Sequence, residues 1–279
     1  MTDLALGVRP IAAESAHYNA VLTRREELSE SLAFFWVAYT GDPVAFEPGQ
    51  YLTIGVESEG KLVQRPYSVA SSPRETADGY EFYVRLVDGG LFTPLLWRLE
   101  TGQGMRMIGP KGKFVLAPDD TRTHVFISSG TGIAPFISMM KTLLIDGAPR
   151  PTVVLHGVSY ESELGYRDLL EAWQATGDYP TRYVPTVSRP NAPQNEGWIG
   201  RTGRVESIID DVYDELGLTI DDSIAYICGN PDMILAVEET LLGRGFPEAQ
   251  VKKELYWPKG KEPTAAARPS LPSLPSEAG

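Results

Sequence analysis

The stretch that decides the fold is Val125-Phe126-Ile127-Ser128-Ser129-Gly130-Thr131-Gly132-Ile133-Ala134-Pro135. An apolar run leads into a Gly-x-Gly turn, and the following proline suits the first turn of a helix. Glycines let a backbone approach a pyrophosphate closely, and a helix N-terminus offers free N–H groups and positive dipole character. The stretch therefore predicts a strand, turn and helix that cradle a dinucleotide. Pro135 replaces the third glycine of the usual fingerprint, and a turn without a ligand would look similar.

Downstream of residue 118, apolar runs alternate with helical segments. The runs cover residues 125–128, 152–156, 181–187 and 225–228, and the helical segments cover 135–145, 164–176, 205–216 and 231–244. This alternation predicts a parallel-sheet α/β nucleotide-binding domain over residues 119–257. Residues 258–279 are rich in Pro, Ser and Ala, which predicts a flexible tail.

Upstream of the same stretch, the pattern is that of an antiparallel sheet. Short β-rich runs at residues 34–39, 51–56, 80–87 and 105–108 are separated by Gly- and Pro-containing turns, with one short helix near 94–99. This pattern predicts an antiparallel β-sandwich or small β-barrel over residues 1–118, with the domain boundary at about 117–122.

Composition restricts the possible functions. The chain has 279 residues, a formal net charge of -12 and 42% hydrophobic residues, which is enough for two cores. The acidic charge argues against nucleic-acid binding and against attraction to an anionic membrane. The best apolar run, Leu32–Tyr39, is far shorter than a bilayer requires. We therefore expect a soluble, cytoplasmic protein.

Metal-binding residues are scarce in the sequence. The single cysteine, Cys228, permits no internal disulfide and cannot alone hold an iron-sulfur cluster. The three histidines are far apart and lack the close pairing of a zinc site. We expect no metal on these residues, so any cluster would belong to a partner.

A second motif, Arg65-Pro66-Tyr67-Ser68, offers a guanidinium, a planar ring and a hydroxyl within four residues. A flavin nucleotide needs a cation for its pyrophosphate, an aromatic face for its ring and a hydrogen-bonding group near N5. The motif therefore predicts a flavin site. A strand end with a buried tyrosine is the alternative.

Four motifs occur in a fixed order: Arg65-Pro66-Tyr67-Ser68, Val87-Asp88-Gly89-Gly90-Leu91-Phe92-Thr93, Gly130-Thr131-Gly132-Ile133-Ala134-Pro135 and Cys228-Gly229-Asn230-Pro231. With this ordered set, the sequence resembles the bacterial ferredoxin-NADP reductases, also called flavodoxin reductases, over about residues 15–257. The resemblance implies an FAD-binding barrel followed by an NADP-binding domain.

The resemblance also implies roles on the flavin side. Tyr67 would stack on the flavin ring, Ser68 would lie near N5 and Arg65 would meet the pyrophosphate. Further contacts to the flavin would come from the backbone of Val84, Arg85 and Leu86 and from Phe92 and Thr93 near the phosphates. Core packing is the alternative for Phe92. Trp257 would cover the FAD, or pack as an ordinary core tryptophan.

On the nicotinamide side, the resemblance implies contacts from Gly130, Thr131, Gly132 and Gly229, with Cys228 beside the nicotinamide. A buried structural cysteine is the alternative for Cys228. Because the 2′-phosphate of NADPH needs cations and hydroxyls, Ser188, Arg189 and Arg204 favour NADP(H), with solvated arginines as the alternative. Ser159 stands where many members of the family have a further arginine.

We therefore expect an FAD-dependent ferredoxin/flavodoxin-NADP(+) oxidoreductase, with Tyr67, Ser68 and Cys228 as catalytic residues. The resemblance implies a monomer that exchanges electrons with ferredoxin or flavodoxin. Four basic residues are candidates for docking an acidic partner: Arg98, Arg106, Lys111 and Lys113. The alternatives are an NADH-dependent ferredoxin reductase component of an oxygenase system and an FAD-binding redox-responsive module.

Overall fold

The structure is a computed structural model that describes residues 14–255. These residues form two sheets, one in the predicted β domain and one in the predicted α/β domain. Trp257 and the predicted tail 258–279 lie outside the described residues.

The first sheet is antiparallel and has six strands: β1 (Ala20–Ser29), β2 (Leu32–Tyr39), β3 (Tyr51–Ser58), β4 (Lys61–Ser68), β5 (Tyr80–Arg85) and β6 (Gly104–Lys111). Their order is β4-β3-β6-β1-β2-β5. The two outer strands approach each other just beyond β4, where Ala70 N–H donates to Glu81 O at 2.8 Å. The sheet therefore rolls into a barrel, with the short helix α1 (Thr93–Trp97) between β5 and β6.

Two barrel strands were missed by the sequence pattern, for physical reasons. In β1 the exposed face carries several charges, which hides the alternation. β4 is an outer strand of the sheet, and it contains Pro66, which a strand tolerates at an edge. The predicted run 80–87 also ends earlier, at Arg85, because Val87 N–H donates instead to Thr93 Oγ1.

The second sheet is parallel and also has six strands: β7 (Thr123–Ser129), β8 (Thr152–Val158), β9 (Thr181–Val187), β10 (Arg201–Thr202), β11 (Ser223–Cys228) and β12 (Val251–Glu254). The order is β10-β9-β8-β7-β11-β12. Four helices cover it: α2 (Ala134–Ile145), α3 (Arg167–Thr176), α4 (Ile209–Leu216) and α5 (Pro231–Gly243). The predicted fold class, an antiparallel barrel followed by a parallel α/β domain, is confirmed.

The helix ends follow local sequence signals. Asn230 caps α5 by accepting from the N–H groups of Asp232 and Met233, and Pro231 occupies the first turn. Gly177 ends α3 and Gly217 ends α4, both in the left-handed conformation. These ends bring each following strand back into the sheet.

The order of the parallel strands places a crevice at one edge. The chain runs from β7 to β8 on one side, and β11 pairs with the other side of β7. In such sheets, ligands bind outside the carboxyl ends of the strands where the order reverses. Cys228 is in register with Ser128, so the Gly130 turn and the Cys228 corner meet at this point.

The two domains share a core. Phe34 of β2 and Tyr83 of β5 stack at 4.8 Å, and Tyr166 packs against Phe34 at 4.9 Å from the second domain. Tyr83 also donates from its hydroxyl to Glu163 O at 2.9 Å. Buried aromatic contacts therefore hold the barrel against the α/β domain.

A buried polar network crosses the same interface. The carboxylate of Glu81 on β5 accepts from Lys141 Nζ at 2.8 Å and from Tyr166 Oη at 2.6 Å. Burial, followed by the effect of Glu81, raises the pKa of Tyr166, so its hydroxyl stays protonated and donates.

Within residues 14–255, no helix has the length and apolar character needed to cross a membrane.

Two buried histidines predict a dependence of stability on pH. Burial lowers the pKa of both His124 and His156 to about 4, with the Arg150 charge adding to the effect at His124. Between pH 6.5 and 4 the unfolded chain binds more protons at these rings than the folded protein does. We therefore expect the free energy of unfolding to fall by roughly 1.4 kcal/mol per pH unit for each histidine as pH drops through this window.

The urea midpoint of the FAD-saturated protein, measured at several pH values between 7.5 and 4.5, checks this expectation. His124 stacks on Tyr226 at 5.7 Å and its ring nitrogens have no hydrogen-bond partner, so His124→Phe keeps the packing and removes one titrating group. The slope of this variant should be about half that of the unaltered protein. Equal slopes would contradict the assignment to His124.

Candidate functional site

A cleft of about 660 Å³ lies between the two domains. Its barrel side is formed at the ends of β4 and β5, and its other side by the carboxyl ends of β7, β8, β9 and β11. The predicted site residues that line it are Pro66, Tyr67, Ser68, Arg85, Gly130, Thr131, Gly132, Ser188, Arg189, Arg204, Cys228 and Gly229. Six separate segments of the sequence therefore meet in one cavity.

On the barrel side, Tyr67 presents its ring at the end of β4. The ring lies 5.9 Å from that of Phe92, and burial raises the pKa of Tyr67, so the phenol is neutral. Arg65 is exposed on the same strand, does not line the cleft, and donates to Gln64 O at 2.7 Å. The strand thus presents a flat aromatic surface to the cavity.

The other predicted flavin contacts lie behind this surface. Phe92 is 2% exposed and belongs to the barrel core, as Val84 does, and Thr93 begins α1. Leu86 N–H already donates to Ser31 O at 2.8 Å. These four residues do not line the cleft, whereas Arg85 does, where it pairs with Glu163 at 2.7 Å.

A buried histidine holds the Gly130-Thr131-Gly132 turn in place. His156 Nε2 donates to Gly130 O at 2.9 Å, and its Nδ1 then accepts from Tyr183 Oη at 3.3 Å. Because burial lowers the pKa of His156, the neutral ring is the stable form. We infer this tautomer from the carbonyl, which can only accept. The ring therefore fixes the carbonyl at the start of the turn.

Gly132 lies against the next strand end. A Cβ at this position would lie 2.4 Å from Cys228 O and 2.6 Å from Gly229 Cα. Only glycine allows this approach of two backbones. The Gly130 turn and the Cys228 corner are therefore one unit.

Three polar side chains meet where this unit faces the barrel. Ser68 Oγ donates to Glu254 Oε2 at 3.4 Å, and Cys228 is the register partner of Glu254 in the neighbouring strand. Burial, with a further contribution from Glu254, raises the pKa of the Cys228 thiol well above its usual value. The site thus holds a protonated thiol, a hydroxyl and a carboxylate together.

Sequence reasoning missed Glu254 as a site residue. Its position opposite Cys228 depends on strand pairing, which the short run Val251–Glu254 does not reveal. Glu163 and Glu206, which line the cleft, were missed because single acidic residues carry no pattern. Trp257 lies outside the described residues, so its predicted role stays a prediction.

The far end of the cleft carries the residues predicted to select the dinucleotide. Ser188 and Arg189 follow β9, and Arg204 precedes α4. The guanidinium of Arg189 donates to Tyr160 Oη at 2.5 Å and lies 5.3 Å from the centre of that ring. Ser159 lines the same end without adding a charge.

The residues fit a flavin on one side and a dinucleotide on the other. Tyr67 offers an aromatic face to the cleft. Gly132 packs closely on Cys228, which places the strand-to-helix turn beside the cleft, and the N-terminus of such a helical segment offers free N–H groups. Within residues 14–255, no group of three or more His, Cys, Asp or Glu residues could hold a metal ion.

Comparisons with known proteins agree with this division. Residues 19–116 match the family model of the oxidoreductase FAD-binding domain, and residues 126–239 match that of the oxidoreductase NAD-binding domain. Within the described part of the chain, residues 14–18, 117–125 and 240–255 lie outside both matches.

Individual relatives include ferredoxin–NADP reductase B of Sorangium cellulosum, which is 34% identical over 77% of this chain and 87% of that protein. The phenol hydroxylase P5 protein of Acinetobacter pittii is 32% identical over 77% of this chain, which spans 58% of that protein.

Among solved structures, a ferredoxin NADP+ reductase from Neisseria gonorrhoeae with bound FAD and NADP has a TM-score of 0.74. It is 25% identical, and the match covers 86% of this chain and 99% of that one. With both nucleotide-binding domains matched and a relative of this similarity, the chain belongs to the ferredoxin-NADP reductase family of FAD- and NAD(P)-binding oxidoreductases.

Proposed function

We propose that this protein is an FAD-dependent ferredoxin/flavodoxin-NADP(+) oxidoreductase. The observation that carries the proposal is the meeting of Ser68, Cys228 and Glu254 beside Tyr67, at the contact between the FAD-binding and NAD-binding domains. Similarity to ferredoxin–NADP reductase B over most of both chains supports this activity. We also propose that the enzyme is monomeric and cytoplasmic.

Bound FAD would supply an acceptor for the hydride of a nicotinamide and would pass electrons on singly. Tyr67 would stack on its ring, while Arg65 and the backbone near Arg85 and Leu86 would hold the rest of the nucleotide. Val84, Phe92 and Thr93 are the remaining proposed flavin contacts, and Val84 and Phe92 also pack in the barrel core.

The chain's own residues would position the reacting groups. The neutral Cys228 thiol would form an uncharged wall for a nicotinamide, and Gly229 would allow close approach. Ser68 would keep its proton on Oγ, shared with the Glu254 carboxylate. Because hydride transfer depends mainly on the alignment of the two rings, the residues act chiefly by holding them together and excluding water.

The pyrophosphate of the dinucleotide would lie at the Gly130-Thr131-Gly132 turn, which lines the cleft and leads into α2. Arg189 and Arg204, with Ser188, would bind the adenosine end and favour NADPH. A second candidate, an NADH-dependent ferredoxin reductase component of an oxygenase system, is favoured by the similarity to the phenol hydroxylase P5 protein and to the reductase component of a naphthalene dioxygenase system.

Anaerobic reduction of the purified yellow protein tests the proposal. NADPH should bleach its flavin absorption faster than NADH does, and added ferredoxin or flavodoxin should then be reduced. An NADPH-to-NADH efficiency ratio near or below one would favour the oxygenase reductase. Turnover with dyes but with neither electron carrier would contradict the proposal. Absence of steady-state dye reduction would instead indicate a redox-responsive FAD-binding module.

The position of the partner can be tested separately. Lys111 and Tyr51 are register partners, as are Tyr51 and Ser68, so Lys111 and nearby Lys113 flank the redox end of the cleft. Both lysines are exposed. Arg106 lies about 16 Å away along β6 and donates to His17 O, so it is separate from the two lysines.

Charge reversal of Lys111 and Lys113 to Glu should slow ferredoxin reduction about tenfold at low salt, because an acidic carrier is no longer attracted. Dye reduction by NADPH should not change. Lys61→Glu is a matched control, since Lys61 is exposed at the far end of β4. Equal ferredoxin rates in the double variant and the control would reject this docking site.

A further inference from the structure

One acidic side chain faces the cations at the adenosine end of the cleft. Glu206 lines the cavity with a side chain that is 21% exposed, whereas the side chain of its neighbour Arg204 is 75% exposed. The distance from Glu206 Oε1 to Arg204 Nη1 is 3.8 Å. The carboxylate is therefore held inside the cleft while the guanidinium extends toward solvent.

The other charges of the cleft have different partners. Glu163 pairs with Arg85 at 2.7 Å and also accepts from Ser159 N–H at 2.9 Å, so it is satisfied away from Arg204. Arg189 donates to Tyr160 Oη, and its guanidinium lies against the ring of Tyr160. The acidic group that stands beside the cations at this end is consequently Glu206.

We propose that Glu206 is a specificity-determining residue that lowers the preference of this enzyme for NADPH over NADH. Its carboxylate competes with a 2′-phosphate for Arg204 and repels the phosphate charge directly. Toward a dinucleotide that lacks the phosphate, the same carboxylate can accept a hydrogen bond from a ribose hydroxyl. The inference rests on the dinucleotide use in the proposed function and assigns the residue that sets its selectivity.

Glu206 also has an ordinary structural explanation. It lies in the first turn of the 3-10 segment Val205–Ile208 ahead of α4, where an acid stabilises the N-terminal end. Asp210 and Asp211 already occupy the first turn of α4. Asp211 is exposed and does not line the cleft, so it provides a matched control for the loss of one negative charge.

Binding of two fragments tests the proposal without turnover. Calorimetry on the FAD-loaded protein would compare 2′,5′-ADP, which carries the 2′-phosphate, with 5′-AMP, which does not. In Glu206→Gln the preference for 2′,5′-ADP should rise about fivefold, whereas Asp211→Asn should stay within about twofold of the unaltered protein. The NADPH-to-NADH ratio of kcat/KM should rise with it.

An unchanged fragment preference in Glu206→Gln, or an equal rise in Asp211→Asn, would overturn the proposal. If Glu206→Gln folds poorly, Glu206→Ser removes the carboxylate with a smaller side chain and should shift the preference in the same direction. Ferredoxin reduction is measured separately. If Glu206→Gln shifts the fragment preference but the protein reduces no electron carrier, the proposed function is rejected and this inference stands.

Discussion

Replacing Gly132 with alanine is expected to lower kcat/KM for NADPH by about 100-fold, equivalent to roughly 2.7 kcal/mol. The added Cβ would lie 2.4 Å from Cys228 O and 2.6 Å from Gly229 Cα. Both contacts are with backbone atoms, so no side-chain rotation relieves them and one of the two turns must move. The movement would separate the pyrophosphate turn from the thiol corner, and stopped-flow reduction of the flavin by NADPH measures the loss.

Gly177→Ala is the control for this variant. Gly177 ends α3 with φ of 75°, and a Cβ there would meet nothing within 4 Å. The substitution should cost about 1 kcal/mol of stability through backbone strain and leave kcat/KM unchanged. A Gly132→Ala enzyme with unaltered kcat/KM would show that the two turns do not need to be in contact.

Replacing Glu81 with alanine is expected to lower the free energy of unfolding by about 3–5 kcal/mol. The carboxylate is buried at the domain interface, where it accepts from Lys141 Nζ and Tyr166 Oη. Its removal leaves a largely buried ammonium and a buried hydroxyl without this partner. Thermal unfolding of the FAD-loaded protein should show a decrease of about 10 °C in Tm.

A second ion pair across the same interface serves as the matched control. Arg74 and Asp146 pair at 3.0 Å, but both side chains are exposed to solvent, so Asp146→Ala should lower Tm much less than Glu81→Ala does. The double substitution of Glu81→Leu with Lys141→Met removes both charges and should recover much of the loss. A Glu81→Ala variant no less stable than Asp146→Ala would contradict a stabilising role for the buried network.

Local patterns predicted most of the fold, and the failures have common causes. The apolar runs that became β7, β8, β9 and β11 are buried on both faces, so their signal is strong. The strand β12 has four residues and little apolar character, and it forms because β11 offers a pairing edge. Such strands depend on their neighbours more than on their own sequence.

The site was predictable where its residues form motifs. Arg65 to Ser68 and Gly130 to Gly132 carry recognisable combinations of glycine, ring, hydroxyl and charge. Glu254 is a single acid that only strand pairing brings to Ser68, which is 186 positions away. Glu206 lies two positions from Arg204, but only the fold places both side chains in the cleft.

The sequence by itself determined that a strand, a glycine turn and a helix follow a β-rich half, because backbone conformation and hydrophobic periodicity are local properties. Only the tertiary structure decided that Gly132 packs on Cys228 and that Glu254 lies opposite the same cysteine. The tertiary structure also decided that Glu81 joins the two domains. These contacts connect residues 26 to 96 positions apart, and the Ser68–Glu254 bond connects residues 186 positions apart. They exist because burying the shared core brings the chain segments together.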